Sequence, residues 1–249
     1  MRVIQLTDLH IGGAAESTYG VDVRSNFLQI LGEVKFAQAD HLVLTGDFCY
    51  QNGDSEIYHW IKDRLDKLDI SYDLIPGNHD DASLMAQAFN REHLLNQGEF
   101  YFAKKFDKWI CLFLDSSRGE HSDLQLKWLK RQLHQANEPV IIFMHHPPVK
   151  VGIPYMDDNH ALQDIDAIQR ILTAYPHRVQ IYTGHYHVEK TIQFDNVCVQ
   201  VTPSCFFQMD QSSLSFKVDH YQIAMRIIDL SNNRIASTVR YFEGQKNNL

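Results

Sequence analysis

Five short apolar runs, each ending at residue types that ligate metals, constrain this chain more than any other feature. The run at 3–7 leads into Asp8 and His10, that at 41–45 into Gly46-Asp47, and that at 72–75 into Gly77-Asn78-His79-Asp80. Later, 139–144 leads into His145-His146, and 179–182 into Gly184-His185-Tyr186-His187. Between and after these runs lie stretches of helical period at 21–38, 55–68, 122–135 and 164–174, with a short helix expected at 82–89. Strand-sized apolar runs alternating with amphipathic helices predict an α/β fold around a largely buried sheet. In such sheets ligand sites form at the carboxyl ends of strands, so residues far apart in sequence are expected to meet there.

The remaining text is less regular. Residues 100–102 and 109–114 read as paired strands, and 191–202, 221–230 and 234–242 as a strand-rich end that suggests a second sheet. The stretch 147–160 carries three prolines and one glycine and is expected to be a lid loop. Residues 243–249 are expected to be a flexible tail, and no repeat or linker divides residues 1–249 into more than one domain.

Charge and composition narrow the function. A net charge of −8 argues against binding a nucleic-acid duplex along its backbone. No apolar run approaches the roughly 18–20 residues of a membrane helix. The first run meets Asp8 too early to form a signal-peptide core, so a cytoplasmic location is expected. Cys49, Cys111, Cys198 and Cys205 form no CxxC pair and are expected to be reduced. Histidine stands out, with 14 residues, and points to transition-metal chemistry.

The donors Asp8, His10, Asp47, Asn78, His145, His185 and His187 are too many for one tetrahedral ion and suit two ions sharing a carboxylate. Imidazole, carboxylate and amide oxygen without thiolate favour Mn, Fe, Zn or Co. Asp8/His10 and His185/His187 are spaced i, i+2, which in an extended segment points both side chains the same way. Of the neighbours His145 and His146, the first is preferred as ligand, since an i+1 residue faces away. Two bound ions would draw a phosphate locally despite the acidic surface.

In their order, Asp8-x-His10, Gly46-Asp47, Gly77-Asn78-His79-Asp80, His145 and Gly184-His185-x-His187 resemble the calcineurin-like metallophosphoesterase superfamily over nearly the whole chain. With His145-His146-Pro147-Pro148 and Thr202-Pro203-Ser204, the chain is most similar to the bacterial cyclic-AMP phosphodiesterases and their glycerophosphodiesterase relatives. The resemblance implies a four-layer α/β/β/α sandwich, two facing mixed sheets flanked by helices. It implies that Asp8, His10 and His187 bind one metal, that Asn78, His145 and His185 bind the other, and that Asp47 bridges them. Fe and Mn are the leading ions. His79 is implied as the group that contacts phosphate and helps the leaving oxygen depart. The implied reaction is in-line attack of a hydroxide on a small phosphodiester, with 3′,5′-cyclic AMP the leading substrate and a glycerophosphodiester the alternative. A homodimer is left open.

Other candidates read more plainly. His41, His59, His93, His121, His134, His177 and His220 lack motif context and are expected to be surface or internally satisfied residues. Asp80 and Asp81 are expected to cap a helix, and Cys49 to pack beneath the site. His146, as a partner behind the ligands, and His160, in the lid, stay open for a site role. Cys205-Phe206-Phe207 is a candidate wall of the substrate cleft.

Overall fold

In a computed structural model, which describes residues 1–13, 16–232 and 234–247, the alternating runs become strands and helices close to their expected limits. The first half contains β1 (Arg2–Leu6), α1 (Val23–Phe36), β2 (His41–Thr45), α2 (Ser55–Leu65), β3 (Ser71–Ile75) and α3 (Ala82–Ala88). A short pair, β4 (Leu95–Asn96) and β5 (Glu99–Phe100), precedes β6 (Phe102–Phe106), β7 (Trp109–Phe113), α4 (Asp123–Ala136) and β8 (Val140–Phe143). Then come α5 (Pro154–Asn159), α6 (Ile165–Thr173), β9 (Val179–Thr183), β10 (Lys190–Phe194) and β11 (Val197–Val201). The chain closes with β12 (Gln208–Met209), β13 (Val218–His220), β14 (Ile223–Ser231) and β15 (Arg234–Phe242).

Helix starts follow local chemistry. The carboxylates of Asp22, Asp54 and Asp81 and the hydroxyl of Ser122 accept from the first-turn amides of α1, α2, α3 and α4. Each satisfies donors that a helix start leaves unpaired.

Two sheets form. One has the order β15-β14-β1-β2-β3, the other β10-β11-β9-β8-β7-β6. Strands β1, β2 and β3 run parallel, as do β7, β8, β9 and β11. Alternate side chains show the layering. Ile4, Leu6, Leu42 and Leu44 share a core with Phe27, Ile30, Ile61 and Met85 of α1 to α3. Val3, Val43 and Ile75, on the opposite face, share a core with Ile142 and Ile181 of the second sheet, which also packs Leu129 of α4 and Leu172 of α6. The result is helices, sheet, sheet, helices, in agreement with the expected four layers, and five parallel strands end on one side of the sandwich.

One expectation is corrected. Residues 191–202 are not one strand: β10 and β11 pair antiparallel across a turn at Asp195-Asn196, where Asp195 is left-handed (φ 44°). Asp and Asn tolerate that conformation and mark the turn. The expected second sheet is present and takes β9, β10 and β11 from the strand-rich end, while β14 and β15 join the first sheet through the pairing of β14 with β1. Residues 243–247, at the expected tail, lie against the body. Lys246 bridges Val21, the Asp22 amide donates to the Gln245 carbonyl (3.0 Å), and the Asn247 amide to that of Gly20 (2.9 Å). Residues 248–249 lie outside the described residues.

The 147–160 stretch folds back on itself. The Asp157 carboxylate accepts from the amides of Val151, Gly152 and Ile153 and from the Tyr186 hydroxyl. Ile153 and Met156 are buried beneath it. Among the described residues, no helix is long and apolar enough to cross a membrane.

Candidate metal centre and active site

The five strand ends bring all seven expected donors into one cluster, of which His10, Asp47, Asn78, His185 and His187 line a cavity while Asp8 and His145 stand directly behind them. Asp8, His10, Asp47, His145, His185 and His187 are buried, and Asn78 places its Oδ1 3.2 Å from His145 Nε2. The backbone reaches this arrangement differently from the extended i, i+2 geometry expected. Asp8, His10, Asp47, His185 and His187 all have left-handed φ values, between 45° and 68°. The turns aim each side chain inward just past its strand while Leu9 and Tyr186, between the paired donors, enter the core. Left-handed residues outside glycine are uncommon, and clusters of them mark functional sites. Amides lock the turns: Asp8 N–H donates to Gly46 O, His10 N–H to Asp47 O, and His185 N–H to the Asp8 carboxylate.

Close approach explains two glycines. A Cβ at Gly46, whose φ is +97°, would stand 2.5 Å from His145 Nδ1, and one at Gly184 would lie 2.5 Å from Asp8 Oδ2. Either substitution displaces a donor.

The tautomers are set from outside the cavity. Nδ1 of His145 faces the Thr45 carbonyl at 2.7 Å, Nδ1 of His187 faces that of Phe207 at 3.0 Å, and Nε2 of His185 faces that of His160 at 2.9 Å. A carbonyl only accepts, so these nitrogens carry a proton, and in the neutral ring the other nitrogen of each presents a lone pair inward. Those lone pairs meet other acceptors. His187 Nε2 lies 3.4 Å from Asp8 Oδ1 and 3.1 Å from His10 Nε2; Asp47 Oδ2 lies 3.3 Å from His145 Nε2 and 3.6 Å from His10 Nε2. Acceptors packed this closely repel unless protons or cations stand between them, and the donor set fits borderline transition metals. Three overlapping groups, Asp8/His10/His187, His10/Asp47/His79 and Asp47/His145/His185, each bring ligand atoms within 4.8 Å of one another.

Electrostatics follow from burial and neighbours. Burial disfavours the Asp8 carboxylate, yet His187 and His145 outweigh it and hold the group at about 2. Asp47 is likewise buried but is held well below the usual range by His145. Burial also works against charge on His145, and Asp47 overrides it, raising the imidazole to about 9. Burial keeps His10 and His185 down at about 3.

Several supports went unread or misread in the sequence. Asp80 does not cap α3. Its carboxylate accepts from the amides of Gly77 (2.9 Å), Phe48 and Cys49 and from the Tyr58 hydroxyl (3.1 Å), bracing the loops that carry Asn78 and Asp47. Burial and the nearby Asp47 push it up to about 7. The Gly77-Asn78-His79-Asp80 motif contained that signal. His146 stands behind the cavity, its ring 4.1 Å from that of His185 and its Nδ1 3.0 Å from Ser116 Oγ. Ser116 had no motif to announce it. Cys49 accepts from the Asp54 amide, and burial raises its thiol, so it contributes no thiolate. His41 pairs with Asp73 at 2.7 Å and His121 with Asp164 at 2.9 Å, both away from the donors.

The cavity encloses about 310 Å³. His79 sits at its edge with Nδ1 3.1 Å from the Gln51 carbonyl and Nε2 4.0 Å from Asp47 Oδ2. Phe206 and Phe207 line the wall, whereas Cys205 lies behind it, its thiol on the Ala224 carbonyl. The expected cleft segment is therefore split. His160 also faces the cavity. A larger groove of about 690 Å³ lies between α4 and α6 and contains none of the donors.

Comparisons with known proteins agree with this geometry. A probable cyclic nucleotide phosphodiesterase of Fibrobacter succinogenes is 31% identical over 97% of this chain and 94% of its own. A probable glycerophosphodiester phosphodiesterase of Arcobacter nitrofigilis is 29% identical over 82% of this chain and 78% of its own. The fold matches the crystal structure of a dimetal phosphatase from Danio rerio with a TM-score of 0.74 at 12% identity, over 98% and 97% of the two chains. Residues 1–189 match the family described as calcineurin-like phosphoesterase, and the chain belongs to that family.

Proposed function

We propose that this phosphoesterase hydrolyses a small phosphodiester at two metal ions, with 3′,5′-cyclic AMP the leading substrate. The observation that carries the reading is the position of Asp47. One of its carboxylate oxygens lies 3.6 Å from His10 on one side and 3.3 Å from His145 on the other. A carboxylate between two donor sets is what a bridged pair of ions requires. Asp8, His10 and His187 would hold one ion, Asn78, His145 and His185 the other. Bound there, two ions supply Lewis-acid charge for the phosphoryl oxygens and acidify a water.

The rest is the chain's own work. His79, fixed through Nδ1 at Gln51, presents Nε2 at the cavity edge, where it can hand a proton to the departing oxygen. The carbonyls of Thr45, Phe207 and His160 hold the histidine rings in one orientation. Phe206 and Phe207 shield one wall from water.

The Fibrobacter relative supports cyclic nucleotides and the Arcobacter relative supports glycerophosphodiesters as the second reading. The test is kcat/KM for 3′,5′-cyclic AMP beside glycerophosphodiesters, after metal stripping and Mn²⁺ reconstitution. Cyclic AMP leading by about 100-fold, roughly 2.7 kcal/mol of differential transition-state binding, supports the first reading. Parity, or a lead for the open-chain diesters, replaces it with the second.

A further inference from the structure

We infer that Tyr19 and Phe216 form a stacking face for the base of a nucleotide and are specificity residues of the cavity; the inference rests on the diester reading of that site. Beyond the donors, much of the cavity wall is aromatic, with Tyr19, Tyr50, Tyr155, Phe206, Phe207 and Phe216 lining it. Phe206 and Phe207 are buried, but Tyr19 is 50% and Phe216 39% exposed. Single exposed aromatics are ordinary. These two touch, with ring centroids 5.3 Å apart and planes tilted by 35°, and both lean on Phe207, at 5.5 and 5.8 Å.

The backbone holds them there at a cost. Tyr19 has φ 51° and precedes Gly20 at 73°. A bulky aromatic in the left-handed region is strained, and such strain persists where surrounding structure imposes it. The docked C-terminal segment does so through the Asn247 amide on the Gly20 carbonyl. Phe216 rides on a loop closed by Asp210, which accepts from the amides of Ser212 and Ser213 and pairs with Lys217 at 2.6 Å.

Charge decides what such a face takes. Among the described residues, Asp47 is the one acidic side chain lining the cavity, and it lies within the donor cluster. A flat neutral base needs no counter-charge and offers a π-face to both Tyr19 and Phe216.

The test measures calorimetric binding of 5′-AMP and of ribose 5-phosphate to the Mn²⁺-loaded protein, together with turnover of glycerophosphoethanolamine. Wild type is expected to favour 5′-AMP by about tenfold or more, the scale of one base stacked on aromatic rings. Tyr19→Asn, which suits the left-handed backbone, and Phe216→Leu should each remove most of that preference and leave ribose 5-phosphate binding and glycerophosphoethanolamine turnover unchanged. Tyr19→Phe should keep it. No preference in wild type, or a preference that survives both variants, overturns the stacking face. A protein that cleaves no diester yet still prefers 5′-AMP through these two rings would instead sink the diester reading alone.

Discussion

At the scale of single residues, the site is a set of acceptors held face to face by backbone turns that favour Asp, Asn and His. His79 stands at the cavity edge with a ring nitrogen that belongs to neither proposed metal set. His79→Ala is therefore expected to leave metal content unchanged and slow turnover by about 10²-fold or more, measured by elemental analysis beside steady-state kinetics. Turnover at the wild-type rate would remove His79 from the reaction. Gly184→Ala places a methyl against Thr7 and Asp8, so lower metal occupancy is expected in the same elemental analysis. The donors were legible because each follows an apolar run, a pattern that one sequence displays. The left-handed turns were not, since spacing alone favoured an extended pair. Asp80 was misread because a carboxylate before a helix caps it more often than it braces two distant loops.

Among the elements, strands and helices carry the site by ending in the right place, and one polar cluster pins the edge of the first sheet. Asp73 of β3, buried, accepts from His41 of β2 and from Lys104 of β6, each at 2.7 Å. Burial works against its charge, but these partners hold the carboxyl below its ordinary value. The folded state thus gains stability that is complete above the unfolded carboxylate value of about 3.9 and lost as pH falls through the lower folded one. Urea midpoints from pH 3 to 7 should fall more steeply toward acid in wild type than in Asp73→Asn. That variant should also be less stable at pH 7 by about 1–3 kcal/mol, the cost of leaving buried partners unmet. Equal slopes would show that the cluster contributes nothing. Element positions were legible from apolar runs of four to six residues. The β10–β11 turn was missed because an apolar and β-branched text continues across Asp195-Asn196, and only that dipeptide marked the reversal.

For the whole molecule, two sheets facing one another let residues as distant as Asp8 and His187 share one cavity. That pairing was not legible from local pattern: β14 lies beside β1 through contacts that span the chain, and periodicity says nothing about which strand neighbours which. The four-layer expectation came from resemblance, and alternate core faces bear it out. Above all, Asp47 is proposed to link two ions in this cavity, and the pair to be needed for diester hydrolysis. The most direct check is calorimetric titration of metal-free protein with Mn²⁺, run beside turnover, for wild type and Asp47→Asn. Two ions per chain are expected in wild type, with loss of at least one in the variant and the largest fall in turnover among the substitutions named. Two ions retained in Asp47→Asn with wild-type turnover would contradict that role of Asp47.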